Sequence, residues 1–284
     1  MPAQATEAEN VRPPVIDCHV HVLDPARFPY ANTAYQPTAA ETGTAAQLTH
    51  VMNAHGVRHA LLVGPNSGYG PDNRCMLDAL ARGGGRFKGI AVVDNDAGTA
   101  ELEDLQAAGV VGVAFNVALM GTDFYQHTGP LLARLRELAL WAQIQVEGDQ
   151  LASLRPLLED SGAQLLFDHS GRPRVDAGTG QAGFAALLAM AATGRACVKL
   201  SGHSKFSAEP YPHPDATPYV QALLEAYTPQ SLVWASDWPF LRAPARIDYG
   251  PLLDLLAQQV PDAADRRAIL WDTPRRLFGF GDAG

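Results

Sequence analysis

Two histidines one residue apart, His19 and His21 in the stretch Val15-Ile16-Asp17-Cys18-His19-Val20-His21, are the most chemically loaded pair in this chain. The stretch is also its first apolar run. On a strand, side chains two apart share a face, so both imidazoles project together while Cys18 and Val20 face the other way. Paired imidazoles at the end of a buried strand can grip a metal ion or polarise a carbonyl oxygen. Packing alone rarely asks for them.

Polar residues close the later apolar runs as well. Asn66 follows the second run and Asn116 ends the fourth. Glu147 closes the fifth, and the sixth ends Asp168-His169-Ser170-Gly171-Arg172. Lys199 and Ser201 close the seventh, with Lys205 just beyond, and the eighth ends Ser236-Asp237-Trp238-Pro239. Some of these have structural readings. Glu147 and Lys199 could form a buried ion pair, Asp17 could bond to backbone, and Asp237 could cap a turn. His50, His55 and His59 sit on or beside the second repeat unit and are read as structural or solvated.

The elements that must position these groups follow from the hydrophobic rhythm. Runs at 15–21, 59–65, 87–93, 111–117, 143–148, 164–170, 196–202 and 231–237 are short and rich in Val, Leu, Ile and Phe, as parallel strands covered on both faces require. Between them lie helical patterns with recognisable ends. Residues 44–55 stop at Gly56, Asp72 caps the next helix, and Thr99 caps 100–108. Further helices are expected over 131–141, 182–192, 219–227, 252–260 and 265–280. Eight such units predict a single-domain (β/α)8 TIM barrel over 15–284, with 1–14 as a disordered leader. An open doubly wound sheet would call for a glycine fingerprint after the first strand, where Val22-Leu23-Asp24-Pro25 stands instead. In such barrels catalytic groups lie at the C-terminal ends of strands, which is where the polar residues fall.

Bulk properties narrow the partners. The 284 residues carry a formal net charge of −9 without a basic cluster, a poor basis for gripping nucleic acid. Three isolated cysteines form no CxxC or disulfide framework, as expected in a reducing cytoplasm. No run approaches the roughly 18 apolar residues that span a bilayer.

Several longer motifs occur in one order: IDCHVHV, FPY at 28–30, DNR at 72–74, VAFNV, LLFDHSGRP, VKLSG, VWASDWP and the closing WDTPRRLFGF. Together they resemble the amidohydrolase superfamily, in the branch of TIM-barrel hydrolases that includes 2-pyrone-4,6-dicarboxylate lactonase. The resemblance runs from Val15 to Phe280. It implies a hydrolase that opens a small-molecule lactone, in catabolism of aromatic ring-cleavage products or sugar acids. His19, His21 and His169 would surround the lactone carbonyl, Asp237 would take a proton from the attacking water, and no cofactor would be required. Substrate contacts would come from Tyr35, Asn66, Asn116, Glu147, Arg172, Lys199 and Lys205.

Two alternatives stay open. A single Zn²⁺ or Mn²⁺ held by His19, His21, His169 and Asp237 would serve a hydrolase or a non-oxidative decarboxylase. The same residues could also support lactone isomerisation. The chain departs from its relatives in two ways. The bridging lysine of binuclear amidohydrolases is not evident, with Glu147 where a histidine is frequent. The fourth-strand stretch Ala114–Met120 has no cation, where the dicarboxylate lactonase places arginines. A substrate less charged than a pyrone dicarboxylate is therefore expected.

Overall fold

The computed structural model describes residues 13–31 and 35–282, so the expected leader falls largely outside the described residues. Eight parallel strands follow in chain order: β1 (Val15–Val20), β2 (Val57–Val63), β3 (Phe87–Ala91), β4 (Val110–Asn116), β5 (Trp141–Gln145), β6 (Gln164–Phe167), β7 (Ala196–Leu200) and β8 (Leu232–Trp234). Each pairs with the next in a sheet ordered β1 to β8. The helices lie between them, as the alternation of periods predicts.

The strands carry two apolar faces because they are covered twice. One side of the sheet, with Leu62, Leu165, Phe167, Val198 and Leu200, packs on helix residues such as Leu48, Met52, Leu132, Leu154 and Leu187. The other side gathers Ile16, Leu61, Ile90, Leu166, Cys197 and Val233 into the barrel interior. Trp271, Phe278 and Phe280, from the closing helical stretch, join that inner cluster. His59 stacks on Phe280 at 5.0 Å, which gives it the structural role expected of it.

Several expected boundaries move. Trp141 begins β5 rather than ending a helix, and the preceding helix is Gly129–Glu137. Asn73 rather than Asp72 directly precedes the helix Arg74–Arg82, while the Asp72 carboxylate accepts from the Arg74 N–H at 3.1 Å and pairs with the Arg74 guanidinium at 2.7 Å. Gly98 takes the cap position assigned to Thr99. The closing stretch is not one regular helix, since a π-helical segment, Ala268–Asp272, separates Ala263–Arg267 from Thr273–Phe278. A helix at Gln150–Ser161 that contains Pro156 completes the fifth unit.

Simple alternation also fails at one informative place. Between Asp17 and Val20 β1 advances three residues while β2 advances two, from Ala60 to Leu62. That is a β-bulge, which re-aims side chains locally. Cys18 therefore packs inside with Ile16 instead of facing away, while Val20 joins the outer layer. His19 and His21 still both line the mouth of the barrel.

The last gap is closed by catalytic-end backbone. Asp237 N–H donates to His19 O at 2.9 Å, and His21 N–H donates to Trp238 O at 2.8 Å. Beneath this seam the Asp17 carboxylate accepts from Ser236 N–H (2.9 Å), His19 N–H (3.2 Å) and the Tyr249 hydroxyl (2.6 Å). Burial outweighs those donors and pushes the Asp17 carboxyl up from its ordinary 3.8 to about 6. A raised acid favours the protonated folded state, so this contribution is present below about pH 4 and is lost as pH rises towards 6. Asp17→Asn should remove roughly 2–3 kcal/mol of stability change across that window. Denaturant midpoints at pH 4 and pH 7 check this, and an unchanged pH slope in the variant would refute it.

Candidate active site

The site rests on a closed ring of polar groups beneath the barrel mouth. Lys199, on β7, is fully buried, with Asp168, Gln143 and His19 almost equally so. The Lys199 ammonium donates to Asp168 Oδ1 at 2.9 Å, to Gln143 Oε1 at 2.6 Å and to His19 Nδ1 at 3.0 Å. Gln143 Nε2 in turn donates to Asp168 Oδ2 at 3.0 Å. Three protons meet three acceptors, which is what a buried charge requires. Burial would raise Asp168, but Lys199 and His19 overcome it and hold the carboxyl well below the usual range.

This ring brings a cation and an anion to one ring nitrogen. His19 Nδ1 faces the Lys199 ammonium at 3.0 Å and Asp168 Oδ1 at 3.3 Å; where it accepts from the ammonium, neutral His19 bears its hydrogen on Nε2, and where it donates to the carboxylate, on Nδ1. Burial, followed by the Lys199 charge, pushes His19 down to about 4, so it is neutral at pH 7. His21 Nδ1 donates to Val63 O at 2.8 Å, which leaves its Nε2 as a lone pair facing His19 Nε2 at 3.3 Å. His169 Nδ1 is hydrogen-bonded with Ser201 Oγ at 3.0 Å, and burial holds this imidazole well below its ordinary pKa.

Asp237 completes the cluster. Its Oδ1 lies 3.7 Å from the Nε2 atoms of His19, His21 and His169, beyond direct hydrogen-bond reach. Its Oδ2 is held by Lys205 at 2.8 Å. Burial alone would raise Asp237, but the Lys205 ammonium outweighs it and keeps the carboxyl ionised. His169 (φ 51°) and Asp237 (φ 65°) both occupy the left-handed region, a costly backbone for non-glycine residues that recurs at functional sites. Gly202 makes room for His169, since a Cβ there would lie 2.6 Å from the His169 Cβ.

The cluster opens into a cavity of about 520 Å³. Asn66, Asn116, Glu147, Arg172 and Lys205 line it, as do Gln145, Leu119 and Arg242. Three sequence expectations need correction. Lys199 lies below the cavity lining, engaged as described, and pairs with Asp168 rather than Glu147. Glu147 pairs with Arg172 at 2.9 Å. Tyr35 is not among the lining residues, because its hydroxyl donates to both Glu41 oxygens at 2.5 Å. Asn116 lines the cavity, but its Oδ1 is occupied in capping Leu119 N–H at 3.1 Å. The reading of strand ends passed over Gln143 and Arg242. Gln143 could have been found from its two-residue spacing with Gln145, whereas Arg242 lies in a loop with no periodic signal.

Replacing Lys199 by Met would strand the Asp168 charge and free His19 Nδ1. Loss of about 3–5 kcal/mol of stability is expected, together with loss of turnover. Adding Asp168→Asn should recover stability but not activity. Chemical denaturation paired with rate measurements checks both, and a Lys199→Met protein of undiminished stability would contradict the account.

Comparison with known proteins places this geometry. The amidohydrolase family model matches residues 16–280. The chain is 33% identical over 273 residues to a 4-sulfomuconolactone hydrolase of Rhizobium radiobacter, covering 93% of this chain and 89% of that protein. It is 28% identical over 277 residues to a 2-pyrone-4,6-dicarboxylate hydrolase of Comamonas testosteroni, covering 93% and 89%. The crystal structure of a Pseudomonas putida protein assigned as a 2-pyrone-4,6-dicarboxylic acid hydrolase superposes with a TM-score of 0.84. It is 30% identical and covers 96% of this chain and 100% of that one. With the family model spanning residues 16–280 and a relative 33% identical over nearly the whole chain, this chain belongs to the amidohydrolase family.

Proposed function

We propose that this protein hydrolyses a lactone, with Asp237 as general base and the rim histidines polarising the carbonyl. The observation that carries the reading is the Asp237 carboxylate. One oxygen is tied to Lys205, and the other faces three imidazole Nε2 atoms at equal 3.7 Å distances. A lactone carbonyl oxygen placed in that space accepts from His19 Nε2–H. Asp237 Oδ1 takes a proton from water as the water oxygen bonds to the carbonyl carbon. The tetrahedral adduct then expels the ring oxygen, which takes up the proton and leaves an open-chain hydroxy acid.

The electrostatics suit this substrate class. A strongly acidic Asp237 is a weak base, so it needs an ester with a good leaving oxygen rather than an amide. Neutral His19 and His169 supply polarity without a charge that Lys199 and Lys205 would oppose. Preorganised donors in a water-poor site are typically worth several kcal/mol to a developing oxyanion. The names of the relatives, a 4-sulfomuconolactone hydrolase and a 2-pyrone-4,6-dicarboxylate hydrolase, agree with this reading.

Asp237→Asn keeps size and most packing but removes the proton acceptor, so kcat should fall by about 10²–10⁴. Steady-state rates on a lactone panel check this, and a fully active variant would remove Asp237 as the base.

One observation favours a second reading. Ligand atoms of His19, His169 and Asp237 lie within 4.8 Å of one another. Donors around a tetrahedral ion at about 2.0–2.2 Å stand roughly 3.3–3.6 Å apart, and the His19 and His169 Nε2 atoms each stand 3.7 Å from Asp237 Oδ1, close to that spacing. His19, His169 and Asp237, with His21 alongside, would hold a single divalent ion, and the ion would supply Lewis acidity at the carbonyl. His19 would then carry its proton on Nδ1, donated to Asp168 Oδ1 at 3.3 Å in place of the Lys199 contact. Turnover that survives dialysis against a chelator is the expected result. Turnover lost on chelation and restored by Zn²⁺ or Mn²⁺ would put the second reading first.

A further inference from the structure

The cavity has two chemically opposite walls. Among the described residues, its cationic lining consists of Arg172, Lys205 and Arg242. Glu147 balances the Arg172 charge through one terminal nitrogen, leaving the buried Arg172 Nε unpartnered, and Asp237 balances Lys205. Arg242 is committed to neither: among the described residues no carboxylate forms an ion pair with its guanidinium, which lies 5.0 Å above the Tyr35 ring.

Glu41 could have neutralised Arg242 but is otherwise engaged. It accepts from the Tyr35 hydroxyl, from Thr38 N–H (3.0 Å) and Oγ1–H (2.9 Å), and from the Arg242 backbone N–H (2.8 Å). Those bonds stitch the loop after β8 to the loop after β1. They hold the Arg242 main chain at the cavity rim. A guanidinium stacked on an aromatic ring keeps its planar fork available for an oxyanion.

The opposite wall follows β4, which lies four strands from β8 around the barrel. There Ala118 and Leu119 line the cavity, and Leu119, Met120 and Phe124 are 41%, 43% and 47% exposed. The wall is held in place: Asn116 Oδ1 caps Leu119 N–H, and Gly121 N–H donates to Val117 O at 2.8 Å.

We infer that the substrate is a monoanionic lactone, its acidic substituent held by Arg242 and an apolar substituent lying against Ala118 and Leu119, with the ester between them at His19 and Asp237. This rests on the lactone reading above and names the substrate class for the same site. Tyr35 and Glu41 become positioning residues for Arg242, which explains why Tyr35 stands outside the lining.

The test uses matched lactones: a neutral parent, the same ring with one carboxylate, and one with two. Wild-type protein should prefer the monoanion by kcat/KM. Arg242→Gln should cut that preference by about tenfold or more, mainly through KM, with Arg242→Lys restoring part of it. Leu119→Arg should shift preference towards the dianion. A preference that survives Arg242→Gln overturns the inference.

Binding of cyclohexanecarboxylate, followed by titration calorimetry, supplies an arm independent of turnover. Affinity weakened about tenfold or more by Arg242→Gln supports the anion site, and unchanged affinity overturns it. Arg242-dependent binding without hydrolysis of any lactone would overturn the lactone reading and leave the anion site standing.

Discussion

A lysine ammonium with no surface open to solvent must spend every proton on the protein, and Lys199 does so on three acceptors from three other strands or strand ends. Asp168 balances its charge, Gln143 bridges lysine and aspartate, and His19 Nδ1 takes the remaining proton. Removing any partner leaves a desolvated polar group, so the ring is all-or-none in character. Its position under the barrel mouth transmits that constraint upward. Where Nδ1 accepts, the proton of His19 sits on Nε2, at the face where chemistry would occur. A structural ion pair and the protonation state of a rim imidazole are thus one arrangement.

Above the ring, loops rather than strands do the aiming. His169 and Asp237 sit just past β6 and β8 in left-handed backbone, a conformation that costs of order 1–3 kcal/mol where nothing local favours it. The surroundings over-determine both. The glycine at 202 lets the His169 ring approach closely, and Lys205 fixes one oxygen of Asp237. The loop after β8 is further anchored through Glu41.

The strands and the rim histidines were legible in the sequence for one reason: a strand buried on both faces is nearly continuous in apolar residues, so a polar residue at its end stands out. His19, His169 and Asp237 announce themselves that way. The closed ring does not, because its members are far apart in sequence and a buried Lys199 looks the same whether it meets Glu147, Asp168 or substrate. The bulge in β1 was equally hidden, since it arises from pairing with β2 and not from the residues of β1. Cys18 was therefore assigned to the wrong face. Arg242 and the Asn116 cap lie in loops, where no period marks a residue and tertiary contacts decide what a side chain reaches.

The seam between β1 and the end of β8 carries one more implication. Its two backbone hydrogen bonds run through His19, His21, Asp237 and Trp238 themselves, so the barrel's last stitch and the reacting centre are a single piece of main chain. A chain with this seam undone has His19 and His21 on one edge and Asp237 on the other, however well the rest is packed. If the proposed site is right, partially assembled barrels would be silent rather than sluggish, and turnover would serve as an assay for topological closure.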